Sequence, residues 1–207
     1  MSLSVDRVRL LHVEMPLVHP FETSFGRTTL RGTLLVEVEG SGLRGWGELT
    51  AHEAPTFSYE TIETARHVLR DFLIPKLLAA PFDHPHDFMT SVAFVRGHPM
   101  AKAALEEAVT DLAARAAGVS LARYLGGDRD RVEVGVSLGI EPSIGDLLER
   151  IDRFQALGYR RIKLKIKPGW DRNVLAEVRR VHPALPLTVD ANAAYTARDF
   201  DLLQSLD

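Results

Sequence analysis

From Val132 onward the chain repeats one grammar three times, an apolar strand followed by an amphipathic helix. Val132 to Ile140 reads as a strand, and Ser143 opens a helix with Ile144, Leu147, Leu148, Ile151 and Phe154 on one face, stopped at Gly158. Arg161 to Ile166 is the next strand. Its helix starts near Asp171, carries Val174, Leu175, Val178 and Val181, and ends before Pro183. Leu187 to Asp190 is the third strand, and Thr196 with Asp199 caps a helix holding Phe200, Leu202, Leu203 and Leu206. Repeated strand–helix units predict a parallel sheet with right-handed crossovers. Three units of roughly 25 residues cannot close an eightfold barrel of about 250 residues, which needs five more. Left open, the third strand would expose an unpaired edge. The chain is therefore expected to be the N-terminal portion of a longer protein.

The part before this repeat has a different pattern. Val8 to Met15, Thr33 to Gly40 and Leu43 to Leu49 read as three consecutive strands, hence an antiparallel meander. Two aromatic-bearing loops punctuate it, His19 to Gly26 and Thr50 to Ser58. From Tyr59 the apolar period becomes helical: one long helix carries Ile62, Ala65, Val68, Leu69, Phe72, Leu73 and Leu77. A shorter one is expected over Asp87 to Val95, and a third from Met100 with an alanine-rich inner face, ending at Gly118. Leu121 to Gly127 reads as a helical turn stopped by Gly126-Gly127. The expected division is an α+β domain over 1–130 and a strand–helix domain over 131–207.

Composition narrows the chemistry. A chain of 207 residues that is 45% hydrophobic can bury a core, and a net charge of −3 without a Lys/Arg stripe argues against nucleic acid as a partner. There is no apolar run of about 18 residues and no signal peptide at the N-terminus, so no membrane association and a cytoplasmic location are expected. With 0 cysteines, disulfides, thiolate metal sites and cysteine nucleophiles are excluded. Oxygen and nitrogen chemistry remain, and a metal would take hard ligands.

Alternation along the second strand of the repeat puts Lys163 and Lys165 on one face and Ile162, Leu164 and Ile166 on the other. A helix can cover the apolar trio. Two ammonium groups side by side repel, and like charge with desolvation is how enzymes bring a lysine from about 10.4 toward roughly 7–8 for use as a base. The competing reading is structural, since paired lysines on a strand commonly mark a solvated face or a protected edge. About one repeat later the third strand ends in Val189-Asp190-Ala191-Asn192, which sets a carboxylate near the amines.

Taken together, Pro20-Phe21-Glu22-Thr23-Ser24-Phe25-Gly26, Met100 to Glu106 through Asp111-Leu112, Gly135 to Ile140, Lys163-Leu164-Lys165 with Pro168-Gly169-Trp170-Asp171, and Val189-Asp190-Ala191-Asn192 resemble the enolase superfamily. The likeness is to its branch of o-succinylbenzoate synthases and N-acylamino acid racemases, and it covers essentially the whole chain. Lys-x-Lys followed by Pro-Gly-x-Asp is specific to that branch; Asp-Ala-Asn is shared more widely. The resemblance implies an α+β capping domain followed by the first three βα units of a modified TIM (β/α) barrel, incomplete in this chain. It implies Lys165 as the acid/base, Lys163 as the residue that tunes it and binds the substrate carboxylate or nascent enolate, and Asp190 as the first ligand of an essential Mg²⁺ or a similar cation such as Mn²⁺. Two further acidic ligands and an opposing lysine would come from later strands, so the segment alone is expected to be inactive. The implied reaction is abstraction of a proton α to a carboxylate, leading to dehydration or to racemisation. A small-molecule carboxylate is the expected partner, with homo-oligomerisation of the whole enzyme. A dipeptide epimerase or muconate cycloisomerase is the alternative within the superfamily. A Schiff-base aldolase and a non-catalytic binding fragment are the alternatives outside it.

Other residues carry two readings each. Asn192 shares the strand face of Asp190 and would orient a ligand, or else caps a loop. Ser137 would hydrogen-bond substrate, or bond its own backbone. Phe21, Phe25 and Phe57 would shape the acyl or aryl pocket, or pack between cap and barrel. His84-Pro85-His86 reads as a turn, not a metal site, and Trp170 as packing beneath the strand end.

Overall fold

The computed structural model describes residues 2–206. It divides into two compact units, Met1–Met15 with Arg31–Asp130, and Pro16–Leu30 with Arg131–Asp207.

A sheet of order β1-β2-β3, with β1 Arg7–Thr23, β2 Gly26–Gly40 and β3 Leu43–Leu49, underlies the first unit, while its ribbon end, Pro16–Leu30, belongs to the second. The expected loop from His19 to Gly26 is instead the end of a long ribbon. Only Ser24 and Phe25 turn, and Gly26 follows at φ 138°, a conformation open to glycine. Pro16 and Pro20 signal a loop in isolation, but β1 is an edge strand, where a missing N–H costs no ladder bond.

Helices cover one face of this sheet. Ile62–Val68 (α1) and Ile74–Ala79 (α2) form the expected long helix, joined by a π turn over Leu69–Leu73. Pro75 explains the interruption: it has no N–H and its ring crowds the carbonyl four residues back, so the turn widens and Ile74 N–H reaches Leu69. The next helix, α3, is Pro85–Ser91, displaced from the expected Asp87–Val95 because His84 caps it and Pro85 fits the first turn.

Pro99–Ala116 (α4) lies directly on β3. Gly45 and Gly47 permit this: a Cβ would fall 2.1 Å from the Ala108 carbonyl at the first and 2.0 Å from that of Ala104 at the second. Ala101, Ala104 and Ala108 match them from the helix, all fully buried. The helix also closes the open side of β3, as Asp111 accepts from Trp46 N–H at 3.0 Å and Glu107 from Glu48 N–H at 3.1 Å. At its own N-terminus, where His98 supplies no side-chain cap, the buried Glu60 carboxylate accepts from Met100 and Ala101 N–H at 2.8 and 3.0 Å. These are two of the donors every helix start leaves free. Leu121–Tyr124 (α5) follows.

In the second unit β4 Val136–Leu138, β5 Ile162–Lys165 and β6 Leu187–Asp190 form a parallel sheet in that order. Strand β4 is shorter than the expected 132–140, with Val132 and Val134 exposed. Leu138, Ile162 and Leu164 are buried under α6 Ile144–Ala156 and α7 Arg172–Val181, through Leu147, Ile151, Val174 and Val178. Ser143 caps α6 and Asp171 caps α7, as expected. Thr196 and Asp199 form a capping box that opens a 3₁₀ turn, Ala197–Asp199, before α8 Phe200–Gln204. Among the described residues no helix is long and apolar enough to cross a membrane.

The sheet–helix approach makes a sharp prediction. Gly47→Ala should destabilise the protein by about 1–3 kcal/mol or more, since backbone must move to admit the methyl group. Gly145→Ala, in the first turn of α6 where a Cβ would meet only Ser143 Oγ at an ordinary contact distance of 3.6 Å, should stabilise by about 0.4–1 kcal/mol. Urea midpoints of the two variants, shifting in opposite directions, check both.

Candidate functional site

The parallel register aligns Ser137, Lys163 and Thr188 in one row and Lys165 with Asp190 in the next toward the strand ends. Because Ile162, Leu164 and Ile166 are buried on the helix side, both lysines project from the opposite face. Lys165 is 8% exposed as a residue, whereas the Lys163 side chain keeps 43% of its surface in water.

Asp190 lies between the amines. Its Oδ2 accepts from Lys165 Nζ at 2.8 Å and from Lys163 Nζ at 3.1 Å, and its Oδ1 accepts from Asn192 N–H at 3.0 Å. Lys165 makes a second bond, to Asn192 Oδ1 at 2.7 Å. The repulsion expected between two neighbouring ammoniums is thus offset by a shared carboxylate. Lys165, then the Asn192 N–H and Lys163, hold the Asp190 carboxyl down at about 2 against the partial burial that opposes them.

Asn192 departs from the position its spacing predicts. It is not on the strand face of Asp190, because β6 ends at Asp190; Asn192 reaches Lys165 from a turn, with φ 48°. Ser137 is exposed on β4, in register with Lys163.

The ribbon tip is tied to the segments that follow all three strands. Ile140 N–H donates to the Glu22 carbonyl at 2.9 Å, Lys167 Nζ to Glu22 Oε1 at 2.9 Å, and Ser24 Oγ to the Ala191 carbonyl at 2.8 Å. Phe21 sits against Gly139, where a Cβ would lie 3.4 Å from its ring, and Phe25 is 58% exposed at the turn. Phe57 belongs to the first unit, where it is exposed and stacked on His52 with ring centres 5.9 Å apart. Trp170 packs against the second unit's core, as expected.

Sequence reading missed Glu22, Ser24, Lys167, Thr188 and Tyr195. Lys167 had a signal, because it continues the alternation of Lys163 and Lys165. Tyr195, whose hydroxyl donates to Asp171 Oδ2 at 2.9 Å, had none.

The donors near Lys165 are a carboxylate and a carboxamide oxygen, which suit a hard cation such as Mg²⁺. Among the described residues no three His, Asp or Glu side chains come together.

Residues 6–126 match the mandelate racemase / muconate lactonizing enzyme N-terminal domain family. The chain is 50% identical over 208 residues to the o-succinylbenzoate synthase of Geobacillus stearothermophilus, covering 100% of this chain and 56% of that protein. It is 45% identical over 205 residues to the N-succinylamino acid racemase of Thermus thermophilus, covering 99% and 56%. An enolase-superfamily crystal structure from Listeria innocua superposes with a TM-score of 0.91 at 35% identity, over 99% of this chain and 55% of that one. The chain therefore spans about half the length of the curated relatives it matches.

Because the carboxyl of Asp190 is depressed to about 2 from an unfolded value of about 3.9, it stabilises the fold above the unfolded value, and the contribution is lost as pH falls through the folded one. In metal-free buffer, Asp190→Asn should melt below the parent at pH 6, and the gap should close between about pH 4 and pH 2. Thermal scans across that range check the sign.

Proposed function

The chain belongs to the mandelate racemase / muconate lactonizing enzyme family of the enolase superfamily, and on that footing we propose that it supplies the lysine pair and one acidic ligand of a site that removes a proton α to a carboxylate. The observation that carries this is the pairing of a nearly buried Lys165 with Asp190 and Asn192 at the end of a parallel sheet, with the more accessible Lys163 on the same carboxylate. Strand ends of this polarity are where barrel enzymes keep their chemistry.

In this reading Lys165 takes and returns the proton on one face of the substrate. Lys163, half in water, binds the carboxylate whose oxygens become the enediolate. Ser137 and Thr188, in the row of Lys163, offer hydroxyls to the same ligand, and Phe21 and Phe25 supply apolar surface for its acyl or aryl group. Asp190, with Asn192 beside it, would hold one side of a divalent cation such as Mg²⁺ or Mn²⁺, which when bound supplies positive charge against the developing oxyanions. The cap–barrel boundary falls at 130/131. The whole enzyme, on this proposal a cytoplasmic homo-oligomer acting on a small carboxylate, carries out o-succinylbenzoate synthesis.

A second reading, racemisation of N-acylamino acids, is supported by the similarity to the Thermus racemase. The two reactions share the first step; dehydration needs one base, while racemisation needs a second on the opposite face.

In the whole enzyme, Lys165→Ala should cut turnover of both substrates by about 10²–10⁴-fold, and EDTA should abolish activity that Mg²⁺ restores. Ordinary turnover by Lys165→Ala would refute the assignment. Trapping of a carbonyl substrate by borohydride on Lys165 would instead indicate Schiff-base chemistry.

A further inference from the structure

The segment after β6 is held in a conformation its residues do not favour. Asn192 and Ala193 take φ of 48° and 61° in succession; asparagine tolerates the left-handed region, whereas alanine carries a Cβ penalty there. Such backbone persists where surrounding bonds over-determine it.

Two bonds inside the segment help: Asn192 N–H to Asp190 Oδ1 at 3.0 Å, and Ala194 N–H to the Ala191 carbonyl at 3.1 Å. Two more tie it to other elements. Ser24 Oγ, from the ribbon tip, donates to the same Ala191 carbonyl at 2.8 Å, and the Tyr195 hydroxyl donates to Asp171 Oδ2 at 2.9 Å. Asp171 is itself fixed, since its Oδ1 accepts from Arg172 N–H at 2.6 Å at the start of α7. What the turn delivers is the Asn192 carboxamide, 2.7 Å from Lys165 Nζ.

We propose that Tyr195 and Ser24 are positioning residues that clamp this left-handed turn so that Asn192 meets Lys165. The role rests on the reading of Lys165 as the acid/base. Both residues act through the backbone, one on each side of Asn192, and the pair brackets the two adverse dihedrals. Burial and the nearby Asp171 carboxylate push the Tyr195 phenol above its usual range, so the hydroxyl remains a donor at any working pH. The Asp of Pro168-Gly169-Trp170-Asp171 thereby does two things, starting α7 and anchoring the clamp.

Tyr195→Phe in the whole enzyme removes the hydroxyl alone. It should lower kcat about tenfold with KM nearly unchanged. Acylation of Lys165 by an amine-selective reagent, read by peptide mass spectrometry against Lys163 as internal reference, should rise several-fold. Ser24→Ala should shift both readouts the same way. Adding Ala193→Gly to Tyr195→Phe should recover most of the loss, because glycine adopts the left-handed region without a clamp; a tyrosine that merely packs would not be rescued from position 193. Parent-level labelling and kcat in Tyr195→Phe would overturn the clamp while leaving an inactive Lys165→Ala, and the site, intact. Full turnover by Lys165→Ala would overturn the site, and the labelling ratio would still report on the clamp.

Discussion

Lys165 is a charged group almost removed from water, and the second unit is arranged around what that demands. An ammonium in such a place needs an opposite charge and hydrogen-bond acceptors, or the cost of its desolvation goes unanswered. Register supplies the charge: Lys165 lies opposite Asp190 on the next strand. The same register places Leu164 and Ile162 under the helices. A one-residue slip of β5 would carry the lysines into the apolar layer and the leucine out of it. Core burial and the ion pair therefore select the same alignment, and the site inherits its precision from the core.

The first unit solves a different problem with similar means. A helix pressed onto a sheet at glycine distance brings backbone close to backbone, and the donors at its start and along the strand margin need acceptors that neither element supplies. Carboxylates take that part: Glu60 at the start of α4, and Glu107 and Asp111 along β3. In both units acidic side chains thus complete secondary structure that hydrogen bonds within the elements leave unfinished.

Much of this was legible in the sequence, and the reasons are local. The lysine alternation, Asp190 at a strand end, and the caps at Ser143, Asp171 and Thr196 are all written within a few neighbouring residues. The ribbon tip is hidden in the sequence because Pro16, Pro20 and Gly26 are loop punctuation unless the strand is known to be an edge. Period-two spacing from Asp190 puts Asn192 on a strand face, and the spacing persists beyond the point where the chain turns. Bonds such as Lys167 to Glu22 and Ser24 to Ala191 join residues 145 and 167 positions apart; only the fold brings them together, and no pattern announces them.

The acidic cover of β3 also bears on how this chain can vary. Glu107 and Asp111 stand on a helix surface where sequence drift is ordinarily cheap, yet each accepts from a strand N–H that would otherwise be open to any passing chain. Exchange of these two residues for alanines would leave the helix content intact and expose a hydrogen-bonding edge to other copies of the protein. The penalty would then appear less as lost stability than as self-association during folding, so these surface positions are constrained by solubility rather than by the core.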